Sequence, residues 1–158
     1  MVASGGGVLY ALPPLLKKGS LGMNMNDVAG LLDITIYLRD KLLADKVVRT
    51  LVADRITPCM AEQGDGSFIV VTRVSLEKEQ TKQGYSGFQG NVVLEIASGS
   101  YRESITIAKE VFRVLMAIYN ENFNLPQKAG VFLPEFIGST EGFGEGKYVQ
   151  RLEYSFKV

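Results

Sequence analysis

The residue types that most often carry catalysis are scarce in this chain. Its 158 residues hold no His and one Cys. Without an imidazole there is no Ser-His-Asp or Cys-His catalysis, no His-ligated zinc and no histidine proton switch. A single Cys excludes an internal disulfide and a Cys-rich metal site. Cys59 sits between Pro58 and Met60 with no base to activate it, and reads as a buried or half-buried structural thiol. Two carboxylate pairs, Glu77 with Glu79 and Glu141 with Glu145, have the residue types of acid–base hydrolysis. Both lie in polar, glycine-rich stretches where nothing would raise a carboxyl pKa, and they read as solvated charge. Gly142-Phe143-Gly144-Glu145-Gly146 lacks the spacing of a dinucleotide fingerprint or a P-loop, and no Lys-Ser/Thr follows it. Arg73, Lys78 and Lys82 near Tyr85 and Phe88 echo the basic–aromatic mixture that binds single strands of nucleic acid. Glu77 and Glu79 dilute that charge, so contact with protein is the better reading. The sequence therefore predicts no catalytic residue, no cofactor and no metal site.

The wider composition agrees. Lys plus Arg number 17 and Asp plus Glu number 17, with 46% hydrophobic and 22% charged residues. That is the make-up of a folded domain, without the positive excess of a general nucleic-acid or anionic-membrane binder. The apolar run Val8 to Leu16 is too short to cross a bilayer and holds Pro13 and Pro14. Lys17 and Lys18 follow it, the wrong order for a signal peptide. The expectation is a cytoplasmic or particle-borne protein with no membrane partner, and a free Cys59 suits a reducing compartment.

Residues 1–25 show no helical or strand period. Ser4-Gly5-Gly6-Gly7 is a flexible composition, yet Leu12, Leu15 and Leu16 are too apolar for a solvated tail. They read as a flexible arm or one that docks on a partner, ahead of a single domain over 26–158. From Asn26 or Asp27, Val28, Leu31, Leu38 and Leu42 recur at helical spacing over about 18 residues. Asp45 can cap a second, short helix with Val47, Val48, Leu51 and Val52 on its apolar face. Ser67 to Leu76 alternates as a strand, with Phe68, Val70, Thr72, Val74 and Leu76 on one side. Glu77 to Gly90 reads as a long polar loop, and Asn91 to Ala97 as the next strand. Ser100-Tyr101-Arg102-Glu103 has the capping-box pattern. The helix it opens carries Ile105, Ala108, Val111, Phe112, Leu115, Ile118 and Tyr119, and should stop before Asn120. Ala129 to Ile137, interrupted by Pro134, reads as an edge strand. Gly138 to Gly146 reads as a second long loop. Tyr148, Gln150, Leu152, Tyr154 and Phe156 alternate in the last strand. The expected fold is α+β: a two-layer sandwich, with a sheet of about four mostly antiparallel strands and two main helices on one face. The expected core is Leu31, Leu38, Leu42, Val70, Val74, Leu94, Ile96, Ala108, Phe112, Leu115, Leu152 and Tyr154.

The middle of the chain resembles the tail-completion family of long-tailed bacteriophages, which includes head–tail joining and tail-terminator proteins. Leu38-Arg39-Asp40-Lys41-Leu42-Leu43-Ala44-Asp45 looks like the end of that family's first helix. Val52-Ala53-Asp54-Arg55-Ile56-Thr57-Pro58 is similar to its Arg-Ile-x-Pro lead-in to a strand. Phe68 to Ser75 and Val92 to Ala97 resemble the two strands that follow. Ser100-Tyr101-Arg102-Glu103-Ser104-Ile105-Thr106-Ile107-Ala108 is similar to the opening of the second helix, and Glu153 to Val158 fits the closing strand. The resemblance spans about residues 31–118 and the last ten or so. Residues 1–25 and 119–147 depart from the pattern and leave terminator, stopper and adaptor roles open.

The resemblance implies a virion structural protein, made in the host cytoplasm and located in the tail or neck, with no catalytic residues to carry over. It implies a homo-oligomeric ring, usually of six, that contacts the tail tube protein and head-completion or neck proteins. DNA would pass through the channel without specific binding, which a near-neutral chain suits. Candidate interface residues are Leu12, Leu15 and Leu16 in the arm, Glu77, Lys78, Glu79, Lys82, Tyr85 and Phe88 in the first loop, and Glu141, Phe143 and Glu145 in the second. The alternative is a host-encoded, non-catalytic binding module of the same fold.

Overall fold

The computed structural model describes residues 25–61, 64–80, 86–126 and 131–157. Helix α1 (Met25–Gly30), a 3-10 turn (Leu31–Asp33) and α2 (Ile34–Ala44) follow one another over the stretch whose spacing predicts one helix. Leu31, Ile34, Leu38 and Leu42 are fully buried, so Ile34 completes the apolar stripe. Asp45 leaves helical backbone and caps α3 (Lys46–Val52), its Oδ1 accepting from the Val47 amide at 3.1 Å. Val48 and Val52 are buried, but Val47, expected on the same face, is exposed.

Helix α4 runs from Tyr101 to Asn122, three residues past the expected stop. Ser100 Oγ accepts from the Glu103 amide at 3.3 Å, which is one half of the capping box. The other half is diverted: the Glu103 carboxylate accepts from the Ser98 hydroxyl at 3.2 Å, and Ser98 in turn accepts from the buried Ser67 hydroxyl at 2.9 Å. Ile107, Val111, Val114, Leu115 and Ile118 form the buried face of α4, with Ala108 and Phe112 packed at its margin.

The sheet has five strands, not four: β1 (Ile56–Pro58), β2 (Phe68–Gln80), β3 (Ser86–Ser98), β4 (Pro134–Gly144) and β5 (Lys147–Lys157), in the order β1-β2-β3-β5-β4. The fold is α+β as expected. The added strand is β1, which pairs parallel to β2 while every other pairing is antiparallel. Two arginines fasten it. Arg39 Nε donates to the Ile56 carbonyl at 2.7 Å, and Arg55 Nε donates to the Ser67 carbonyl at 2.8 Å. The Arg55 guanidinium lies so close to Gly66 that a Cβ there would come within 2.4 Å of Cζ. Just beyond β1, Cys59 has φ 64° and is exposed, which corrects the expectation of a buried thiol.

Both expected long loops are largely strand. β2 and β3 continue as a paired ladder to Gln80 and Ser86. β4 begins at Pro134, not near Ala129, and runs through the stretch read as a glycine loop. Gly144 pairs with Lys147 across a two-residue turn in which Glu145 has φ 53° and Gly146 φ 80°. That double left-handed geometry is the type I′ turn, whose twist matches a right-handed hairpin.

Each hairpin carries a bulge. Between Arg73 and Ser75 the register slips, so Val74 has no partner and is exposed. Beyond it the alternation reverses: Leu76 joins Ile69 and Val71 on the helix-covered face instead of sharing a face with Phe68 and Val70. Val74 therefore leaves the expected core. Ile137 plays the same part in β4, between Phe136 and Gly138, and is also exposed.

Helix α2 lies over β1 and β2, and α4 over β3, β5 and β4. The main core between these layers joins the buried residues of α2, α3 and α4 to Ile56, Ile69, Val71, Val92, Leu94, Ile96, Leu152, Tyr154 and Phe156. Phe68, Val70 and Ala97 form a separate small cluster with Val149 on the other side of the sheet.

Candidate assembly interface

β4 is an edge strand, as Pro134 predicts, and it is eleven residues long. Its outer edge presents unpaired backbone groups, which tend to be covered by another chain. Three expected interface residues gather at its far end. Glu141 accepts from the Tyr101 hydroxyl at 3.0 Å and from Gln150 Nε2 at 3.0 Å. The hydrogen bond to that carboxylate, with its charge, raises the Tyr101 phenol above the ordinary tyrosine value. Phe143 is exposed, with its ring 4.8 Å from that of Tyr148. Glu145 occupies the type I′ turn and, with Lys147, borders a cleft of about 460 Å³ on the helix-free face.

The other group lies at the opposite end of the sheet. β5 stops pairing with β3 at Gln89–Lys157, and the β2–β3 ladder continues past it as a two-stranded arm. Glu77 and Lys78 are exposed on this arm. Phe88 is half-buried and packs against the main core, so it anchors the arm instead of tipping it. On the helix-free side, Gln89, Asn91 and Ser75 form a polar ladder: Gln89 Nε2 donates to Asn91 Oδ1 at 2.8 Å and Asn91 Nδ2 to Ser75 Oγ at 2.8 Å. The backbone of Glu79 pairs with Gly87. Lys82 and Tyr85 lie outside the described residues, as do Leu12, Leu15 and Leu16. The two expected loop groups are thus far apart, at opposite ends of one sheet.

A third feature joins no expected site. Between the C-terminal half of α4 and the start of β4 runs an apolar groove of about 280 Å³, lined by Phe112, Leu115, Met116, Tyr119, Pro134, Glu135, Phe136 and Tyr154. Phe136 packs edge-on against both Phe112 and Tyr154. Met116, Phe136 and Ile137 are each about half exposed here. Tyr154 is 3% exposed, and its hydroxyl has no hydrogen-bond partner among the described residues. Burial raises its pKa well above the ordinary tyrosine value. The sequence holds a signal for this groove only in hindsight. Pro134 marks the edge, and Phe136 falls in phase with Tyr154 only because the bulge follows at Ile137.

Among the described residues no three of His, Cys, Asp and Glu come together to hold a metal ion, and no helix is long and apolar enough to cross a membrane. Asp45 is engaged: its carboxylate caps α3 and pairs with Arg113, which donates at 3.0 Å to Oδ1 and also bonds Glu110 at 2.7 Å.

No protein-family model and no curated protein matches this sequence. Among solved structures, the fold is similar to that of a chain from the virion of a native gene transfer agent particle. The TM-score is 0.58 at 19% identity, over 82% of this chain and 94% of that one. A second solved protein is similar over 87% of this chain and 96% of its own, with a TM-score of 0.50 at 13% identity. At such identities the likeness is one of fold.

Proposed function

We propose that the protein is a structural component of a phage-like virion, a ring-forming tail-terminator or tail-completion protein at the head-proximal end of a long tail. The observation that carries this reading is the fold shared with a gene transfer agent virion chain over 82% of this chain and 94% of that one. It agrees with the family resemblance of the helix and strand motifs from Leu38 to Ala108. The long β4 edge and the apolar groove beside it are surfaces that subunit contact would cover. In the ring, each subunit meets two copies of itself through unlike surfaces, and a closed rotation hides every edge. Glu77, Glu141 and Glu145 at the two ends of the sheet would face tail tube, neck proteins or channel, where acidic groups let DNA pass without sticking. The protein's role is then assembly, not catalysis.

Native mass spectrometry of the purified full-length protein tests the ring, alone and with its tail tube protein. The expected species has about six times the mass of the 17.3 kDa chain. A species that stays monomeric or dimeric at high concentration and with the tube protein present would favour a small host binding module instead.

A further inference from the structure

We infer that the groove between α4 and β4 receives the segment Leu9–Leu16 of an adjacent subunit, so that successive subunits are strapped together by their N-terminal residues; this rests on the ring reading above. The groove is unusual in being apolar and aromatic with one buried polar atom. Phe112, Tyr119, Phe136 and Tyr154 supply rings, Leu115, Met116 and Pro134 the remaining apolar wall, and Glu135 the charged rim. The Tyr154 hydroxyl, buried without a partner among the described residues, calls for an acceptor.

Residues outside the described structure offer a match. Leu9-Tyr10-Ala11-Leu12-Pro13-Pro14-Leu15-Leu16 is apolar throughout. Pro13 and Pro14 favour polyproline II backbone, which has no internal hydrogen bonds and leaves its carbonyls free. Grooves lined by aromatic rings bind such segments, because the backbone is already extended and loses little entropy. A carbonyl of this segment is an acceptor of the kind that Tyr154 lacks. Lys17 and Lys18 follow directly, so their charge would come to rest near Glu135.

The chain also enters the described fold at the right place. Leu31, six residues after Met25, lies beside Gly90 and Phe156: a Cβ on Gly90 would sit 3.6 Å from Leu31 Cδ2 and 3.9 Å from the Phe156 carbonyl oxygen. Phe156 pairs with Pro134, where the groove begins. The connection from Lys17 to Asn24 can span about 28 Å when extended, so the segment is not confined to the subunit that carries it. Because the groove opens beside β4, the last strand of the described sheet, a subunit paired there in the proposed ring would bring its own segment to it.

Cysteine pairs test this in the full-length protein. Leu15→Cys is combined with Met116→Cys in a Cys59→Ser background and oxidised, and non-reducing denaturing gels separate links between chains from links within one. A second pair, Leu12→Cys with Glu135→Cys, guards against one variant failing to fold. Leu15→Cys with Met60→Cys, on a remote exposed site, sets the background. The expected result is interchain linking at least about tenfold faster than the Met60 pair, for one or both groove pairs. Intrachain linking, or linking no faster than the Met60 pair, overturns the inference. Native mass of the same samples separates the two readings: a ring that does not cross-link sinks only the strap, whereas a monomer sinks the ring as well.

Discussion

A buried phenol costs free energy unless its hydroxyl finds a partner, and Tyr154 is 3% exposed with none among the described residues. Tyr154→Phe should therefore stabilise the dilute, unassembled chain by about 1–3 kcal/mol, measured by urea denaturation at neutral pH. The pH dependence has a definite sign. Burial raises the folded-state pKa above the value of 10.0 that an exposed tyrosine has, so the folded protein holds a proton that the unfolded chain releases. The parent protein then loses stability as pH rises past that unfolded value, and the phenylalanine variant is spared this loss. The advantage of the variant should widen between pH 9 and about 11; an advantage that narrows there would contradict the burial. Tyr154 also marks where sequence reading stops. Its place on the buried face was legible from the alternation Tyr148, Gln150, Leu152, Tyr154, Phe156. That its hydroxyl would be stranded was not, because the partners of a buried polar group depend on distant strands and helices.

At the scale of elements, the helices were the legible part. Apolar recurrence at three and four residues exposed α2 and α4, and Ser100 and Asp45 cap as their types suggest. The strands were legible where they alternate and opaque where they bulge. Val74 looked like core because strict alternation continues through it, yet one unpaired residue shifts the phase and turns it outward. The far half of β4 was hidden for another reason: its glycines and polar residues suit an exposed edge strand, and that composition is also what a loop looks like. β1 is three residues long, too short for any period to show. For α4 the packing makes a quantitative claim. Leu115 is 1% exposed and lies between the core and the groove. Leu115→Ala should destabilise the chain by about 2–5 kcal/mol in denaturant titration, as buried leucine truncations do. A loss under about 0.5 kcal/mol would mean that α4 is not seated on the sheet as described.

At the scale of the molecule, one side of the sheet is closed by helices and, among the described residues, the other carries only the small cluster of Phe68, Val70, Ala97 and Val149. The described residues of a single chain thus leave an eleven-residue edge and an apolar groove uncovered. If copies of the chain cover these surfaces, folding and association are linked, and thermal stability depends on concentration. The melting temperature should rise as the protein is concentrated from about 1 to 100 μM, whereas a monomer's would stay constant. The candidate interface was legible in the sequence only by residue type. Glu141, Phe143 and Glu145 do share one end of the fold, but Glu77, Lys78 and Phe88 lie at the other, because the β2–β3 pairing runs on past the end of the sheet opposite the β4–β5 turn.

The bulge at Val74 has a consequence for how such a chain could vary. It acts as a joint between two parts of one hairpin. Inboard of it, residues answer to the helices above them; outboard, the arm beyond Gln89 has no third strand to satisfy among the described residues. Residues can be added to or lost from the two strands of the arm in matched pairs without disturbing the phase of Ile69 and Val71, because the pairing inboard of them is unchanged. The length of the arm is therefore free to vary while the rest of the sheet stays unchanged.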